Sequence, residues 1–409
     1  MTTAQHSFRP HLWGANGGES DDVCTARVLI VEDDNRMRAT VAGCLRKHGF
    51  FNLDKAGDGA AAIELARQWN PELVITDLGL ADLDGFELCR LLRSYPVTAS
   101  TPILVTTGLD DVKRRAEVFE AGASDIVTKP LHWPELLARV RIHIERRRLI
   151  ERLSEVQRRL SEDMDQARAM QESLMPACED IRRLTNAFPI ALAGHCLPSI
   201  GIGGDLWGVR PVDTGRLLLF NVDFAGHGIG AALNIFRLHS YIASGLGQIE
   251  SPSQCLAQLN RYLCGMLPTG QYATAFCAII DFNTAMLRHA SAASPANLIL
   301  SAERDDGFQP IDGTGFPLGV IREAHYEDHS VSFGPGSKVF LFSDALIETP
   351  DPANPVFAVD DLCRILDARK QDARPELEID ALLTAFQAVS PDKPDDDLTL
   401  VMLHHRRSQ

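Results

Sequence analysis

The first third of this 409-residue chain is predicted to fold as an α/β domain with a doubly wound parallel sheet. Three short, continuous apolar runs, at residues 28–31, 73–75 and 103–105, predict buried strands. Segments with helical spacing, at residues 35–48, 59–69 and 86–92, alternate with these strands. This alternation is typical of a parallel sheet that is covered by helices on both faces.

Polar residues follow the predicted strands at the points where the strands end. In a doubly wound sheet the carboxyl ends of the strands meet at one edge, and sites form beyond that edge. A single acid there is most simply a solvated strand end, but five such residues in register indicate a site. Three close carboxylates repel one another and need a hard divalent cation such as Mg²⁺. The five residues are Glu32, Asp33, Asp77, Thr107 and Lys129.

Residues 26–146 resemble the receiver domain of two-component response regulators, with every signature position in order. The resemblance implies a flavodoxin-like fold of five parallel strands. It also implies that Asp77 is the phosphoacceptor and that a sensor histidine kinase or phosphotransfer protein is its partner. Carboxylates can form such aspartyl phosphates. The other implied roles are Mg²⁺ binding by Asp33, Asp77, the Gly79 carbonyl and, through water, Glu32, and phosphoryl binding by Thr107 and Lys129.

Composition restricts the remaining possibilities. A chain of 409 residues can hold two or three domains. Its net charge of -15 argues against a nucleic-acid binder. No apolar stretch approaches the ~20 residues that span a bilayer, and residues 1–25 lack a signal-peptide core and predict a flexible tail, so a cytoplasmic location is expected. Nine cysteines without paired spacing indicate reduced thiols.

One long helix is predicted from Pro134 to the next proline, Pro176. Its apolar residues alternate at spacings of four and three, which predicts a coiled-coil linker over residues 147–177 and a parallel homodimer. The alternative, an amphipathic helix packed on its own domain, requires a wider apolar stripe. The seam comprises Ile142, Leu149, Leu153, Val156, Leu160, Ala167, Met170 and Leu174, interrupted by Arg146 and Asp163.

The second half carries another set of acids near strand ends. Asp205 follows two glycines, and Asp223 follows the apolar run 217–222. Asp344 comes after the run 339–342, and the pair 396–397 precedes a last strand at 400–403. Apolar and small residues alternate at 273–281 and 286–293, which predicts antiparallel sheets rather than βα repeats.

Residues 187–405 resemble the SpoIIE-like branch of the PPM-type serine/threonine phosphatases, and residues 169–176 resemble its lead-in helix. The resemblance implies an α+β fold, an antiparallel β-sandwich flanked by helices, with two Mn²⁺ or Mg²⁺ ions. Such hard cations prefer carboxylate and carbonyl oxygen. The implied roles are Asp223 as the bridging ligand, the Phe224 carbonyl on one ion, Asp344 and Asp396 on the second, and Asp205 through water.

Together the two resemblances indicate a response regulator whose output is a metal-dependent protein serine phosphatase. They imply that its substrate is a phosphoserine on an anti-sigma-factor antagonist in a partner-switching pathway. The alternative is a catalytically degenerate domain that serves as a phosphorylation-controlled adaptor for a sigma-factor-related partner. A diguanylate cyclase is excluded because Leu206 follows Gly203-Gly204-Asp205 where cyclase chemistry requires an acid. No basic helix-turn-helix pattern supports a DNA-binding output.

Several positions depart from the patterns of these families. Ile126 stands where receivers usually have an aromatic residue, and Gly208 stands where many SpoIIE-like members have a second aspartate. Ala345 replaces the usual glycine after Asp344. His227 could be a general acid or a structural turn residue. None of these departures removes a proposed metal ligand.

Overall fold

The computed structural model describes residues 23–108, 112–199, 201–226, 228–304, 306–311, 313–347, 357–390 and 396–407, without the side chains of 112–114. The predicted N-terminal tail lies outside the described residues except for Val23–Thr25, which forms a short 3-10 turn. The chain divides into two compact units, Met1–Arg159 and Leu160–Gln409. Each unit is described by itself below.

The first unit contains a sheet of five parallel strands in the order β2-β1-β3-β4-β5. This confirms the predicted doubly wound fold. All residues of β1 and β4 are buried, because helices cover both faces of the sheet. The strands are β1 (Val28–Val31), β2 (Leu53–Ala56), β3 (Leu73–Asp77), β4 (Ile103–Thr107) and β5 (Asp125–Thr128).

Aspartate side chains cap the N-termini of three of the helices that cover this sheet. Asp34 accepts hydrogen bonds from the backbone N–H of Arg36 and Met37, and Asp58 accepts one from Ala61. Such caps satisfy N–H groups that a helix leaves unpaired at its start. The helices are α1 (Asn35–Lys47), α2 (Gly59–Trp69), α3 (Gly85–Ser94, capped by Asp84), α4 (Val112–Glu120) and α5 (Trp133–Glu172).

Helix α5 is 40 residues long and confirms the predicted continuous helix as far as Glu172. Leu174 was predicted in the seam, but it follows the helix and packs against an apolar cluster of the second unit. Its first turns pack against the sheet of the first unit through Leu136, Val140 and Ile144, all of which are fully buried. From Leu149 onward the apolar seam is exposed instead of buried: Leu149 and Leu153 are 63% and 60% exposed in the single chain. The predicted dimer through this seam stays a prediction.

The second unit contains two five-stranded antiparallel sheets, in the orders β13-β10-β9-β8-β7 and β12-β11-β14-β15-β6. Residues from both sheets, among them Trp207, Phe276, Leu341 and Leu403, share one buried apolar cluster, which confirms the predicted sandwich. The strands are β6 (Ile190–Leu197), β7 (Asp205–Pro211), β8 (Arg216–Phe224), β9 (Ala273–Asp281), β10 (Met286–Ala292), β11 (Leu298–Leu300), β12 (Gln309–Pro310), β13 (His329–Ser332), β14 (Lys338–Phe342) and β15 (Leu398–His405).

Helices flank both outer faces of the sandwich. Two of them pack on the sheet that contains β8, and another two pack on the sheet that contains β14. The first pair is α7 (Ile229–Ser244) and α8 (Pro252–Cys264), and the second is α9 (Val359–Asp367) and α10 (Pro375–Val389); a short α6 (Cys178–Ala187) precedes β6. Across the described residues, every helix is too short or too polar to cross a membrane.

Candidate functional sites

The first candidate site lies where β1, β3 and β5 end. Asp77 is the last residue of β3, and Lys129 follows β5 directly. The Lys129 Nζ atom lies 2.9 Å from Asp77 Oδ1 and 3.2 Å from Glu32 Oε2. Burial and then the charge of Asp77 raise the pKa of Glu32 above its usual value, against the opposing effect of Lys129. The Lys129 ammonium group is therefore paired with two carboxylates, those of Glu32 and Asp77.

Glu32, Asp33 and Asp77 form a compact group of oxygen ligands. One carboxylate oxygen from each residue lies within 4.8 Å of the other two. Glu32 is buried, Asp77 is half-buried and Asp33 is exposed, so the group opens to solvent on one side. Three carboxylates at this spacing repel one another, and a hard cation with oxygen ligands relieves that repulsion. The residues present fit Mg²⁺.

An open cleft lies over Asp77 and is lined in part by Gly79, Thr107 and Lys129. Thr107 is held at the cleft by the sheet, because its carbonyl accepts a hydrogen bond from the Lys129 N–H at 2.7 Å. The loop after Asp77 also depends on Gly85, a residue that the sequence motifs did not single out. A Cβ atom at Gly85 would lie 2.7 Å from the Leu78 Cα, so only glycine lets α3 approach this loop.

The second candidate site is centred on Asp205 and Asp223, which face each other across the β7–β8 ladder. Asp205 is 1% exposed, and neither of its carboxylate oxygens has a hydrogen-bond partner among the described residues. Burial raises the pKa of Asp205 to about 8. Removal from water, and then the charges of Asp205, Asp344 and Asp396, raise the pKa of Asp223 well above its usual value. These four carboxylates therefore share one electrostatic environment.

The donor set of this second site fits divalent cations. A buried carboxylate without a hydrogen-bond partner is costly, and a cation removes that cost. The four carboxylates share one electrostatic environment, and carboxylate oxygen is the ligand that hard divalent cations prefer.

Asp396 and Asp397 are adjacent, but they have different surroundings. Asp397 is buried, and its Oδ1 accepts hydrogen bonds from the Ser199 N–H at 2.8 Å and from the Ser199 hydroxyl at 3.2 Å. Its Oδ2 accepts a hydrogen bond from the Gly204 N–H. Asp396 is half-buried, and its Oδ1 accepts a hydrogen bond from the backbone N–H of Asp397 at 2.8 Å. Sequence reasoning assigned no role to Asp397, and adjacent identical residues offered no signal for one.

Two chain segments come unusually close at Phe224, whose carbonyl was predicted as a metal ligand. The Phe224 N–H donates to the Gly204 carbonyl at 3.0 Å. A Cβ atom at Gly204 would lie 2.9 Å from the Phe224 carbonyl oxygen, so glycine is required for this approach. Gly226 and Gly228 have positive φ angles of 92° and 85°. His227 lies outside the described residues, so its two predicted roles stay open.

The structure gives a steric reason for one departure from the family pattern. Gly208 pairs with Phe220 across the β7–β8 ladder. A Cβ atom at Gly208 would lie 2.3 Å from the Phe220 Cζ, so the aromatic ring occupies the space of any side chain at this position. Ala345 is buried in the 3-10 turn Asp344–Leu346. The departures at Gly208 and Ala345 leave all four carboxylates of the second site in the chain.

Family models match both parts of the chain. Residues 28–141 match the model for the response regulator receiver domain. Residues 213–406 match the model for stage II sporulation protein E, SpoIIE. These matches confirm the resemblances to a receiver domain and to a SpoIIE-type phosphatase domain.

Curated relatives match the receiver part. The DNA-binding dual master transcriptional regulator RpaA of Synechocystis sp. is 38% identical over 120 residues, which cover 29% of this chain and 49% of RpaA. The response regulator MprA of Mycobacterium ulcerans is 37% identical over 125 residues, or 31% of this chain and 53% of MprA. The chain thus spans about half the length of the curated relatives it matches.

A solved structure matches the second part. The SiaA-PP2C domain of Pseudomonas aeruginosa superposes with a TM-score of 0.51 at 19% sequence identity. The match covers 61% of this chain and 98% of that domain. At this identity the likeness establishes a common fold.

Proposed function

From the premise that this chain joins a response regulator receiver domain to a SpoIIE-type domain, we propose that it is a response regulator with a protein serine phosphatase output. The observation that carries the proposal is the pairing of Asp205 with Asp223 in the second unit. The charge of a buried carboxylate beside a second carboxylate must be neutralised by a proton or compensated by a cation, and the proposed phosphatase uses cations. This pair lies in a domain of the phosphatase fold.

In the proposed phosphatase, Asp223 and the Phe224 carbonyl, together with Asp344 and Asp396, would hold two divalent ions. Asp205 would contribute through water. When bound, the two ions supply an activated water and stabilise the oxygens of an in-line displacement at phosphorus. Asp397 keeps the Gly204 backbone in place beside these ligands. Gly226 and Gly228 leave the backbone without side chains where the substrate phosphate would approach.

In the proposed receiver reaction, an Asp77 carboxylate oxygen attacks the phosphorus of a phosphohistidine on the partner kinase or phosphotransfer protein. The new P–O bond forms as the P–N bond breaks, and the histidine nitrogen keeps the electron pair. Lys129, already 2.9 Å from Asp77, is placed to bind the incoming phosphoryl oxygens with Thr107. Glu32, Asp33, Asp77 and the Gly79 carbonyl are the proposed Mg²⁺ ligands.

The proposed substrate is a phosphoserine on an anti-sigma-factor antagonist of a partner-switching pathway, as the SpoIIE resemblance implies. A homodimer through residues 147–177 is proposed as the regulatory unit. The exposed apolar seam of α5 supports this, because Leu149, Leu153 and Leu160 are each at least 60% exposed in the single chain.

The proposal is tested by Mn²⁺-dependent hydrolysis of p-nitrophenyl phosphate by the full chain. Asp223→Asn removes the shared ligand and should reduce the rate to background, and Asp344→Asn and Asp396→Asn should do the same. Asp165→Asn, at an exposed position of α5, is the matched control and should retain the wild-type rate. Circular dichroism checks that every variant is folded.

Wild-type protein that hydrolyses neither p-nitrophenyl phosphate nor phosphoserine peptides with Mn²⁺ present would contradict the phosphatase proposal. That result would favour the adaptor function, in which the domain binds a sigma-factor-related partner without turnover. Binding of such a partner that depends on Asp77 phosphorylation would then be the property to measure.

A further inference from the structure

Asn221, on β8, is a buried polar residue beside the second candidate site. It is 5% exposed, and its Oδ1 atom has no hydrogen-bond partner among the described residues. A buried amide oxygen of this kind is costly, because it has left water without gaining another hydrogen bond. Such atoms are rare in folded proteins and indicate a bound water, an ion or a functional role.

The Asn221 side chain projects from the same face of β8 as Asp223, because residues two apart on a strand share a face. Leu217 and Leu219 lie on this face too, and both belong to the apolar cluster that the two sheets share. The alternate residue Leu218 packs with the helices on the outer face instead. Asn221 and Asp223 therefore both point into the space between the sheets.

The register of the sheet makes Asp205 a diagonal neighbour of Asn221. Asp205 pairs with Asp223 across the β7–β8 ladder, and Trp207 pairs with Asn221. Diagonal neighbours are ~7 to 8 Å apart, so one water molecule between their polar groups can contact both. On the other side, Asn221 pairs with Phe276 of β9. Asn221 is thus flanked by aromatic residues and has two carboxylates towards the end of its strand.

The facing sheet contributes too few hydrogen-bond donors for these oxygens. Cys196 on β6 pairs with Thr399 on β15, and Thr399 Oγ1 donates a hydrogen bond to Cys196 Sγ at 3.4 Å. Burial and then the charge of Asp205 raise the pKa of Cys196 to about 12, so this thiol lies within electrostatic range of Asp205. One hydroxyl hydrogen cannot serve three acceptor atoms, and a thiol is a weak donor. The three acceptors, which have no partner among the described residues, are Asp205 Oδ1, Asp205 Oδ2 and Asn221 Oδ1.

We propose that Asn221 is a positioning residue of the second site, whose oxygen accepts a hydrogen bond from the cation-bound water that Asp205 also holds. This inference rests on the proposed function, in which Asp205 contributes through water. A water molecule has two hydrogens to donate, and Asp205 and Asn221 offer an acceptor for each. Holding both hydrogens fixes the orientation of the water, so Asn221 raises the affinity of the site for divalent cations.

The proposal requires an acceptor oxygen at position 221, and two substitutions isolate that requirement. Aspartate is close to asparagine in size and keeps an acceptor oxygen, but it lacks the amide N–H groups. Leucine is also similar in size and has no polar atom. Comparing Asn221→Asp with Asn221→Leu therefore separates the hydrogen bond from the packing of the side chain.

The experiment measures Mn²⁺ binding to the full chain by isothermal titration calorimetry. All proteins carry Asp33→Asn, which removes a ligand from the receiver site, and this parent protein is the reference. Asn221→Leu should weaken Mn²⁺ binding by roughly 10 to 100-fold, the usual effect of losing a partner that orients a metal ligand. Asn221→Asp should bind Mn²⁺ at least as tightly as the parent, because it keeps the acceptor and adds a negative charge near the cation.

Ser301→Ala is the matched control. The Ser301 hydroxyl is also buried and has no hydrogen-bond partner among the described residues. Ser301 follows β11 at the end of the second sheet where Leu300 pairs with Lys338, whereas Asp344 follows the opposite end of β14. The substitution removes a buried polar atom away from the carboxylates, so it should leave the Mn²⁺ affinity unchanged.

Thermal unfolding distinguishes this role from a structural one. Asn221→Leu removes a buried acceptor without a partner, so in EDTA it should unfold at the temperature of the parent or higher. In excess Mn²⁺ it should gain less stability than the parent, because a bound cation stabilises the folded state according to its affinity. Misfolding would lower the unfolding temperature in both conditions.

Equal Mn²⁺ affinities for Asn221→Leu and Ser301→Ala would overturn the proposal. Asn221→Asp protein that binds Mn²⁺ as weakly as Asn221→Leu would also overturn it, because the amide N–H groups would then be the ones that matter. The inference and the proposed function fail separately. Parent protein that binds Mn²⁺ and shows the expected differences between variants, yet hydrolyses no phosphomonoester, contradicts the phosphatase alone.

Discussion

Lys129 determines much of the chemistry at the first candidate site, where strands β1, β3 and β5 end. Its ammonium lies within 3.2 Å of both Glu32 and Asp77. Although burial alone would lower the pKa of Lys129, its hydrogen bonds and charge interactions with Asp77 and Glu32 raise it. Lys129 therefore stays charged beside the carboxylate that is proposed to accept the phosphoryl group. A permanent positive charge there stabilises the negative charge that a phosphoryl group brings.

We predict that acetyl phosphate with Mg²⁺ labels the protein on Asp77. The acyl phosphate is trapped with borohydride and located by mass spectrometry. Asp77→Asn should lose the label because an amide oxygen is a poor nucleophile. Asp54→Asn, on strand β2 of the same sheet, should be labelled like the wild type. Label that persists at the same site in Asp77→Asn would refute the assignment.

Glu378 on α10 illustrates a side chain that serves stability rather than the proposed sites. It is fully buried, and its Oε1 accepts a hydrogen bond from Lys338 Nζ at 2.8 Å. Its other oxygen pairs with His404 Nε2. Lys338 also donates to the Asp372 carbonyl at 2.8 Å. Removing the carboxylate leaves an ammonium group buried without its counter-charge.

We predict that Glu378→Ala lowers the free energy of unfolding of the second unit by about 3 to 5 kcal/mol, the usual cost of breaking a buried ion pair from one side. Glu376→Ala, at an exposed position of the same helix, should change it by less than about 0.5 kcal/mol. Urea titration followed by circular dichroism measures both. Equal stabilities for the two variants would show that the buried pair contributes nothing.

Helix α5 combines two kinds of surface along one element. Its early turns are buried against the receiver sheet, as Val140 and Ile144 show. Its later turns expose Leu153, Val156 and Leu160 at four- and three-residue spacings. Apolar side chains at heptad positions are stabilised by the seam of a second helix. Arg146 and Asp163 interrupt this seam, which favours a dimer that can rearrange.

We predict that replacing both Leu153 and Leu160 with Asp converts the protein from dimer to monomer in light scattering. Charges at core positions of a coiled coil face each other across the seam and repel. Gln157→Asp, exposed and off the seam, should remain dimeric. A wild-type protein that is monomeric at micromolar concentration in both phosphorylation states would contradict the dimer. Regulation would then have to act within one chain.

The chain as a whole places one proposed phosphorylation site in the first unit and one proposed phosphatase site in the second. Helix α5 begins in the first unit and ends in the second, where Gln171 contacts the Gly203 loop. A phosphorylation event can change the phosphatase only if it alters an equilibrium between states of such a connecting element.

We predict that a beryllofluoride mimic of the Asp77 phosphoryl group changes the phosphatase rate by roughly 5 to 150-fold, which corresponds to a coupling free energy of ~1 to 3 kcal/mol. Thr107→Ala should reduce this change more than Ile126→Ala, because Thr107 lines the cleft over Asp77 whereas Ile126 is a buried apolar residue without a polar aromatic tip. Equal rates with and without the mimic would show that the receiver does not control the output.

Local patterns in the sequence determined the two fold classes, the long helix and the positions of the acids at strand ends. Continuous apolar runs predict buried strands wherever they occur, and helix α2 begins and ends where its spacing predicted. The ends of parallel strands meet for topological reasons, so the order of the chain already predicts that Glu32, Asp77 and Lys129 approach one another. These features depend on residues that are close in sequence.

Only the tertiary structure distinguished Asp397 from Asp396 and revealed the bridge from Gln171 to Gly203. Asp397 reaches Ser199 and Gly204 across almost 200 residues, with sequence separations of 198 and 193. The exclusion of a side chain at Gly208 depends likewise on the ring of Phe220 in the neighbouring strand. Adjacent residues of the same type, such as Asp396 and Asp397, have nearly the same local sequence pattern. Their roles are decided by which distant backbone groups the packed sheets bring within hydrogen-bond distance, and no local pattern encodes that.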